Sequence, residues 1–243
     1  THPSRPAPDL RRRHPDRPAM NPAYFLTGTD TEIGKTFITC ALLQRAAQLG
    51  IKAAGIKPVA AGTDQFGKNE DVENIRAASS VTLANEVINP YCFTAAVAPH
   101  IAAAEEGRAI AFSQIKSACS AAQAQAELVI IEGVGGFRVP LGDDGDSADL
   151  AVMLGLPIIL VVGIRLGCIN HALLTAEAIS ARQLRIAGWV ANRMDPNMAR
   201  FDENLATLTT LIKAPLLGVV PHAPAGGSAD AASYLSLPDG LGL

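Results

Sequence analysis

Nine consecutive residues, 28–36, have the composition and order of a loop that binds phosphate groups. Their sequence is GTDTEIGKT, and they lie between an apolar run and a helical pattern. Backbone N–H groups at the start of a helix attract anions, Lys35 can reach the β- and γ-phosphates of a nucleotide, and the hydroxyl of Thr36 can bind Mg²⁺. The usual pattern has a glycine where this chain has Thr29, and Gly28 lies one residue earlier. The sequence therefore predicts a variant phosphate-binding loop.

Two acidic residues could hold the metal ion that accompanies a nucleotide. Glu132 ends the apolar run 128–131 and precedes residues 133–136, which read GVGG and would let a ligand approach the backbone closely. Asp71 lies at the start of a helical pattern, where an acid can also simply complement the positive end of the helix dipole. Phosphoryl transfer requires acids that hold metal at the ends of neighbouring strands. We expect this role for Glu132 and leave both roles open for Asp71.

A second lysine follows another predicted strand. Pro58 forces Lys57 into an extended conformation and ends regular strand pairing, so the lysine side chain is expected to emerge near the phosphates. A cation there could neutralise the charge that develops on a transferred phosphoryl group. The alternative is a lysine at a strand end in solvent. The pattern alone leaves these two interpretations open.

The elements that must position these residues alternate along the chain from residue 23 onward. The predicted strands are Tyr24 to Thr27, Ala53 to Lys57, Leu128 to Glu132, Ile158 to Val162, Ala187 to Ala191 and Leu216 to Val219, and the predicted helices are Lys35 to Leu49, Val72 to Ala78, Ser113 to Ala124, Asn170 to Gln183 and Ala199 to Ile212. Nearly continuous apolar strands that alternate with helices indicate a parallel sheet covered on both faces. The predicted fold class is α/β: a single three-layer α/β/α domain with a mostly parallel central sheet. Ligands of such sheets bind at the carboxyl ends of the strands.

Composition excludes several classes of protein. The chain has 243 residues, of which 49% are hydrophobic, and a formal net charge of −3. Residues 1–20 contain five arginines and two acids, so residues 21–243 carry −6, and a broad nucleic-acid surface is not expected. The longest apolar run, Leu156 to Ile164, is far shorter than the roughly 20 residues of a membrane span. Four scattered cysteines without a CxxC pair indicate reduced thiols, which suits a cytoplasmic protein.

The amino-terminal twenty residues differ from the rest. They hold five of the sixteen prolines and no apolar block, so we expect a disordered leader or extension over 1–20 and one phosphate-loop α/β domain over 21–243. No apolar segment follows the arginines, so export is not expected.

Taken together, the motifs resemble those of the dethiobiotin synthases, a family of the phosphate-loop NTPase superfamily. The resemblance spans about residues 22 to 223. It rests on GTDTEIGKT at 28–36, GIKPV at 55–59, NPY at 89–91, PH at 99–100, EGVGG at 132–136, LGCINH at 166–171 and GWVAN at 188–192. Several separated motifs in the same order are far more specific than any one of them.

The resemblance implies a ligase of biotin biosynthesis. Such an enzyme converts 7,8-diaminopelargonate, CO₂ and ATP into dethiobiotin, ADP and phosphate through a carbamate and a carbamic-phosphoric anhydride, with Mg²⁺ as its metal. It also implies a cytoplasmic homodimer whose substrate site lies at the subunit interface, without nucleic-acid or membrane partners.

The resemblance further assigns roles to residues. The catalytic residues would be Lys57, Lys35 and Thr31, and the Mg²⁺ ligands would be Thr36, Asp71 and Glu132. ATP would contact Glu32, Ile33, Gly34, Lys35, Thr36, Phe37, Asp71, Glu132, Gly133, Val134, Gly135, Asn192, Arg193, Pro221, His222 and Ala223. The substrate would contact Thr31, Lys57, Ala61, Glu132 and Gly135, and Gly167, Cys168 and Asn170 would reach substrate bound to the other subunit. Two positions depart from the family: Ala61 replaces a frequent hydroxyl, and no acid lies near Ser228, where some members have a glutamate beside the ribose.

Other functions fit parts of the pattern. A nucleotide switch of the partition or site-selection type shares the phosphate loop but carries a second lysine where this chain has Asp30. An amidoligase of the cobyrinate type would usually need a further glutaminase domain, for which 243 residues leave no room. A nucleotide-binding protein that has lost its activity is a third alternative, which only Ala61 favours.

Overall fold

Six parallel strands form the centre of the protein in this computed structural model, which describes residues 21–239. Together with four short strands outside this sheet, the strands in chain order are β1 (Ala23–Gly28), β2 (Ala53–Ile56), β3 (Val59–Ala61), β4 (Tyr91–Phe93), β5 (Leu128–Glu132), β6 (Pro140–Gly142), β7 (Gly145–Asp146), β8 (Ile158–Ile164), β9 (Ile186–Arg193) and β10 (Leu216–Val220). The order in the main sheet is β10-β9-β8-β1-β5-β2, and every pair in it is parallel. The expected α/β class with a parallel central sheet is confirmed.

Helices cover both faces of this sheet. They are α1 (Lys35–Gln48), α2 (Glu70–Ala78), α3 (Asn85–Ile88), α4 (Pro99–Glu105), α5 (Phe112–Gln123), α6 (Ser147–Leu154), α7 (Cys168–Ala181), α8 (Phe201–Leu211) and α9 (Gly227–Ala231). Neighbouring residues of β1 face opposite layers: Phe25 packs in the core with Ile115 of α5, and Leu26 packs in the other core with Ile38 and Leu42 of α1. Burial of both faces explains why the strands read as continuous apolar runs.

The predicted boundaries agree with the structure to within two residues. The helix predicted from Val72 begins at Glu70, because the side chain of Asn69 caps it by accepting a hydrogen bond from the N–H of Val72. The helix predicted from Asn170 begins at Cys168, directly after Gly167 with its left-handed φ of +93°. The strand predicted to end at Lys57 ends at Ile56.

Several short elements were not predicted. They include a parallel pair, β3 with β4, and a hairpin, β6 with β7, besides α3, α4, α6 and α9. Elements of two to eight residues give too little periodicity to stand out from a loop. The leader expected at residues 1–20 lies outside the described residues. Within residues 21–239, no helix combines the length and the apolar character that crossing a membrane requires.

Candidate active site

The predicted phosphate-binding loop connects the central strand β1 to helix α1. Two of its residues have left-handed backbone conformations, Glu32 with φ of +56° and Gly34 with φ of +82°. A positive φ at a residue other than glycine is uncommon and costs energy, and such conformations concentrate at functional loops. Lys35 begins α1, and its Nζ donates a 2.9 Å hydrogen bond to the carbonyl oxygen of Asp30, so the lysine folds back over its own loop.

Lys57, Asp71 and Glu132 come together beside this loop. Nζ of Lys57 lies 2.5 Å from Oε1 of Glu132 and 3.0 Å from Oδ2 of Asp71. The hydroxyl of Thr36 donates a 2.7 Å hydrogen bond to the same oxygen of Glu132. The sheet produces this meeting, because Glu132 at the end of β5 is in register with Leu26 of β1, two residues before the loop. Four residues that the sequence singled out therefore form one cluster.

Burial and charge shift the pKa values of this cluster. Lys57 and Glu132 are almost completely buried, whereas the side chain of Asp71 is 43% exposed. Burial is the largest effect on Lys57 and acts to lower its pKa, but the two carboxylates together outweigh it and the pKa is raised. Burial likewise acts to raise the pKa of Asp71, and the charge and hydrogen bond of Lys57 reverse this, so that the pKa is lowered. Both shifts favour a charged Lys57 beside an ionised Asp71.

Lys35 differs from Lys57. Burial, reinforced by the positive charge of Lys57, lowers the pKa of Lys35 to about 8. The carboxylates of Glu132 and Asp71 act in the opposite direction without overcoming these effects. Without phosphate groups nearby, Lys35 therefore loses part of its charge in mildly alkaline solution.

The oxygen atoms of this cluster fit a magnesium ion. Oε2 of Glu132 is buried and has no hydrogen-bond partner among residues 21–239, and such an orphaned carboxylate oxygen calls for a cation or a water molecule. Asp71 and Thr36 supply two further hard oxygen donors next to it. Mg²⁺ is typically held by one or two carboxylates, and water and phosphate oxygens complete its shell.

A cleft of about 1180 Å³ opens over the loop. Its lining includes the charged residues Lys35, Lys57 and Asp71, and it also includes apolar residues, among them Ala61 and Val97. Phe37, Glu32 and Thr31 also line it. The volume is sufficient for a nucleotide together with a small substrate. Ala61, for which the sequence predicts a substrate contact, lines the cleft with its methyl group.

The glycine-rich segment after β5 forms another side of the cleft. Val134 and Gly135 line it, whereas Gly133 is buried below them. A Cβ atom at Gly135 would lie only 2.9 Å from Cγ2 of Val139, and Gly135 has φ of +61°, so this position favours glycine on both counts. The same point is 3.5 Å from Oγ1 of Thr31. Thr31 and Gly135, both predicted to contact the substrate, therefore lie side by side.

The residues expected at the base of the nucleotide lie at the ends of β9 and β10. Asn192 is buried and in register with Val220, which directly precedes Pro221. His222 and Ala223 are exposed beyond it, and Nδ1 of His222 is 3.3 Å from the carbonyl oxygen of the neighbouring Arg193. The side chain of Arg193 points elsewhere: it donates to the carbonyl of Pro196 and stacks 4.6 Å above the ring of Phe201, so only its backbone faces this end of the site.

Gly167, Cys168 and Asn170 do not line the cleft of their own chain. Gly167 and Asn170 are exposed, but Cys168 is only 1% exposed and belongs to the apolar core. Leu166 beside them is 92% exposed, which is unusual for a leucine.

Sequence reasoning did not identify three further residues that line the cleft, the buried thiol Cys40 and the amides Gln44 and Asn74. Their spacing could have revealed them: Cys40 and Gln44 follow Thr36 at intervals of four along α1, and Asn74 follows Asp71 by three along α2. Residues at these intervals share one face of a helix. A further ion pair, Arg165 with Asp30, ties the phosphate loop to the end of β8 over 2.6 Å, and no local pattern indicates it.

The chain is similar to several known proteins over most of its length. Residues 22–228 match the model of a family described as an AAA domain. The ATP-dependent dethiobiotin synthetase BioD of Aromatoleum aromaticum is 59% identical over 219 residues, which cover 89% of this chain and 97% of that protein. The ATP-dependent dethiobiotin synthetase BioD of Ralstonia nicotianae is 51% identical over 216 residues, which cover 88% of this chain and 94% of that protein.

Among solved structures, the MinC:MinD cell division protein complex of Aquifex aeolicus is similar with a TM-score of 0.51 and 12% identity over 86% of each chain. At this identity the likeness concerns the fold alone. The two BioD proteins, in contrast, match at more than half of the aligned positions over nearly their whole length, and this chain belongs to the ATP-dependent dethiobiotin synthetase family.

Proposed function

We propose that this chain closes the ureido ring of dethiobiotin, using 7,8-diaminopelargonate, CO₂ and ATP and releasing ADP and phosphate. The observation that carries the proposal is the buried cluster of Lys57, Asp71 and Glu132 beside a phosphate loop, in a chain 59% identical to an ATP-dependent dethiobiotin synthetase. Such a cluster provides cations for transferring phosphate and carboxylates for a metal, and the cleft also has apolar lining residues that suit the alkyl chain of the substrate.

The chemistry proceeds in three steps, each balanced. One amine of the substrate attacks the carbon of CO₂ and loses a proton, which gives a carbamate. A carbamate oxygen then attacks the γ-phosphorus, the bond to the β-phosphate oxygen breaks, and ADP leaves. Finally the second amine attacks the carbonyl carbon and loses its proton, and phosphate departs as the ring closes.

The roles of the residues follow from their positions. Lys35 and the N–H groups at the start of α1 bind the phosphate chain. Lys57 is held charged by its carboxylate partners and stabilises the negative charge that develops during phosphoryl transfer. Thr31 lies beside Gly135 in the lining of the cleft, and its hydroxyl orients the substrate there. Asn192, with Pro221 to Ala223, borders the base.

A magnesium ion would be held by Thr36, Asp71 and Glu132. When bound, Mg²⁺ neutralises phosphate charge and polarises the transferred group. Lys57 pairs with Oε1 of Glu132 and Oδ2 of Asp71, so the unpartnered Oε2 of Glu132 is the carboxylate oxygen that remains for the ion.

We also propose that two copies of the chain form the working enzyme in the cytoplasm. Gly167 and Asn170 are exposed and outside their own cleft, and Leu166 with Leu174, 92% and 58% exposed, lies in the same region. Exposed apolar side chains beside polar ligand-binding candidates suit an interface that brings them to the site of a second copy. Four free cysteines suit a reducing compartment.

Phosphate release tests the proposed reaction. Phosphate release from MgATP is measured with and without 7,8-diaminopelargonate and bicarbonate, and the mass of the product is determined by mass spectrometry. We expect release that depends on the diamine, with a product that carries the added carbonyl, and Lys35→Ala should reduce it by roughly a hundredfold or more. Release that ignores the diamine and responds to a protein or DNA partner would favour a nucleotide switch.

A further inference from the structure

Asn192, which is proposed to border the base, is connected to the phosphate loop. It lies at the end of β9, in register with Gly163 of β8 and Val220 of β10, and it is 7% exposed. Its Nδ2 donates a 2.9 Å hydrogen bond to the carbonyl oxygen of Ile33 and lies 3.4 Å from Sδ of Met194. One side chain on the sheet therefore holds the backbone of the loop.

The loop is packed closely around this amide. A Cβ atom at Gly34 would lie only 2.4 Å from Nδ2 of Asn192. The side chain of Ile33 is 2% exposed, and Cβ atoms at Gly28 or Gly163 would lie within 2.7 Å of it, so it is enclosed from two sides. These contacts leave the peptide unit between Ile33 and Gly34 little room to rotate.

The orientation of that peptide unit decides where its N–H group points. In a trans peptide the C=O and N–H bonds point in opposite directions. Since the carbonyl of Ile33 points at Asn192, the N–H of Gly34 points away from Asn192, and Gly34 itself lines the cleft beside Lys35. Backbone N–H groups at the start of a helix are the donors that bind phosphate.

We infer that Asn192 is a positioning residue for the phosphate loop, which orients the N–H of Gly34 for a phosphate group whether or not a base is present. The inference rests on the proposed binding of a nucleoside triphosphate and goes beyond contact with its base. It predicts that phosphate affinity depends on a side chain that the phosphates do not touch.

A ligand that has phosphate groups but no base separates the positioning role of Asn192 from contact with the base. Binding of magnesium tripolyphosphate and of MgATP is measured by calorimetry for the wild type, Asn192→Ala and the control Asn197→Ala, an exposed asparagine outside the cleft. Asn192→Ala should weaken tripolyphosphate binding about fivefold, as expected for one lost hydrogen bond, and Asn197→Ala should not change it. Weaker MgATP binding with unchanged tripolyphosphate binding would overturn the inference. A wild type that binds neither ligand would instead contradict the proposed function.

Hydrogen exchange of the ligand-free protein gives a second readout. It tests whether Asn192 positions the phosphate loop even if tripolyphosphate binds too weakly to measure. Peptides that cover residues 33–38 should exchange faster in Asn192→Ala than in the wild type or Asn197→Ala, with exchange elsewhere unchanged. Equal exchange in this segment would overturn the inference. If the alanine variant does not fold, Asn192→Asp repeats the measurement, because it has the same shape and, when ionised, cannot donate to Ile33.

Discussion

At the scale of single residues, Lys57 is the centre of a charge balance that the fold depends on. Its Nζ contacts Glu132, which is fully buried, and Asp71, which is partly in solvent. Removing one partner of a buried ion pair leaves an uncompensated charge, and this typically costs about 3 to 5 kcal/mol. Lys57→Met should therefore lower the free energy of unfolding by about that amount, as measured by urea denaturation without nucleotide.

Two further variants make this prediction specific. Adding Glu132→Gln to Lys57→Met removes the stranded charge and should restore most of the lost stability. Lys68→Met is the matched control, since the side chain of Lys68 is 63% exposed and the carboxylate with which it pairs, that of Glu73, is 3.9 Å away. We expect a change of less than about 0.5 kcal/mol there. A Lys57→Met variant as stable as the Lys68→Met variant would contradict the charge balance.

Lys35 makes nucleotide binding depend on pH. Its pKa in the free protein is about 8, and a triphosphate beside it would raise the pKa of the bound state. Above pH 8, binding of the triphosphate then requires Lys35 to take up a proton. The affinity for the nucleotide is therefore highest below pH 8 and falls as the pH rises through this value. Between pH 7.5 and pH 9 the affinity for MgATP should fall by up to about eightfold in calorimetric titrations. Lys35→Met binds more weakly, and its affinity should not change over this range; parallel curves for the two proteins would exclude Lys35 as the titrating group.

Sequence predicted the residues at strand ends better than those on helices. Glu132 ends an apolar strand, and the carboxyl ends of parallel strands meet at one edge, so its proximity to residues 28–36 could be predicted. For Lys57, after the neighbouring strand β2, the pattern left a position in solvent equally open. Asp71 could not be decided in this way, because an acid in the first turn of a helix also serves as a cap or a dipole partner. In the structure Asn69 is the cap, and Asp71 is left to pair with Lys57.

At the scale of elements, helix α6 anchors the glycine-rich side of the cleft. Asp146 caps it by accepting hydrogen bonds of 2.9 Å from the N–H groups of Ala148 and Asp149. The hydroxyl of Ser147 accepts a 3.0 Å hydrogen bond from the N–H of Val139 and donates one of 2.7 Å to the carbonyl of Phe137. The start of this helix therefore fixes the segment that Gly135 precedes.

The contribution of the Asp146 cap to the free energy of unfolding should depend on pH. Burial acts to raise the pKa of Asp146, but the N–H of Asp149 and the side chain of Arg138 outweigh it, and the pKa is lowered. A carboxyl with a lowered folded pKa stabilises above its unfolded pKa of about 3.9 and loses this effect as the pH falls through the folded value. Asp146→Ala should therefore cost about 1 to 2 kcal/mol at pH 7 in urea denaturation, and the difference from the wild type should narrow below about pH 5.

Asp146→Asn is the control for the cap, because asparagine still accepts the hydrogen bonds at the helix start but carries no charge. At pH 7 the free energy of unfolding should fall less in Asp146→Asn than in Asp146→Ala. The loss in Asp146→Asn should come only from the ion pairs with Arg138 and Arg182. If Asp146→Ala were as stable as the wild type at pH 7, the helix start would not depend on this cap.

The main strands and long helices could be predicted from sequence because burial imposes a clear pattern on them. The hairpin β6–β7 and helix α6 could not, although Asp146 and Asp149 form a capping box at the start of α6. Aspartate in place of the usual Glu or Gln at the third helical position, after a hairpin with one strand of two residues, gives a weak signal. These short elements nevertheless shape the cleft.

At the scale of the whole molecule, the proposed substrate site is divided between two chains. The cleft contains Lys35 and Lys57, whereas Asn170 lies exposed at the start of α7 and outside that cleft. Leu166 next to it is the most exposed of the large apolar side chains in residues 21–239. Leu166→Asp should therefore shift the protein from dimer to monomer in sedimentation experiments, whereas Leu211→Asp, which changes an exposed leucine at the end of α8, should not.

A mixing experiment tests whether the site itself is shared. Lys35→Ala and Asn170→Ala should each be nearly inactive, because every site in either homodimer has one defect. After subunit exchange at equal concentrations, half of the dimers combine the two chains, and one of the two sites in each has both Lys35 and Asn170 intact. Dethiobiotin formation should then recover to about a quarter of the wild-type rate. Exchange confirmed by mass spectrometry without any recovery of activity would mean that each subunit has a complete site of its own, and Asn170 would lose its proposed role toward the partner's substrate.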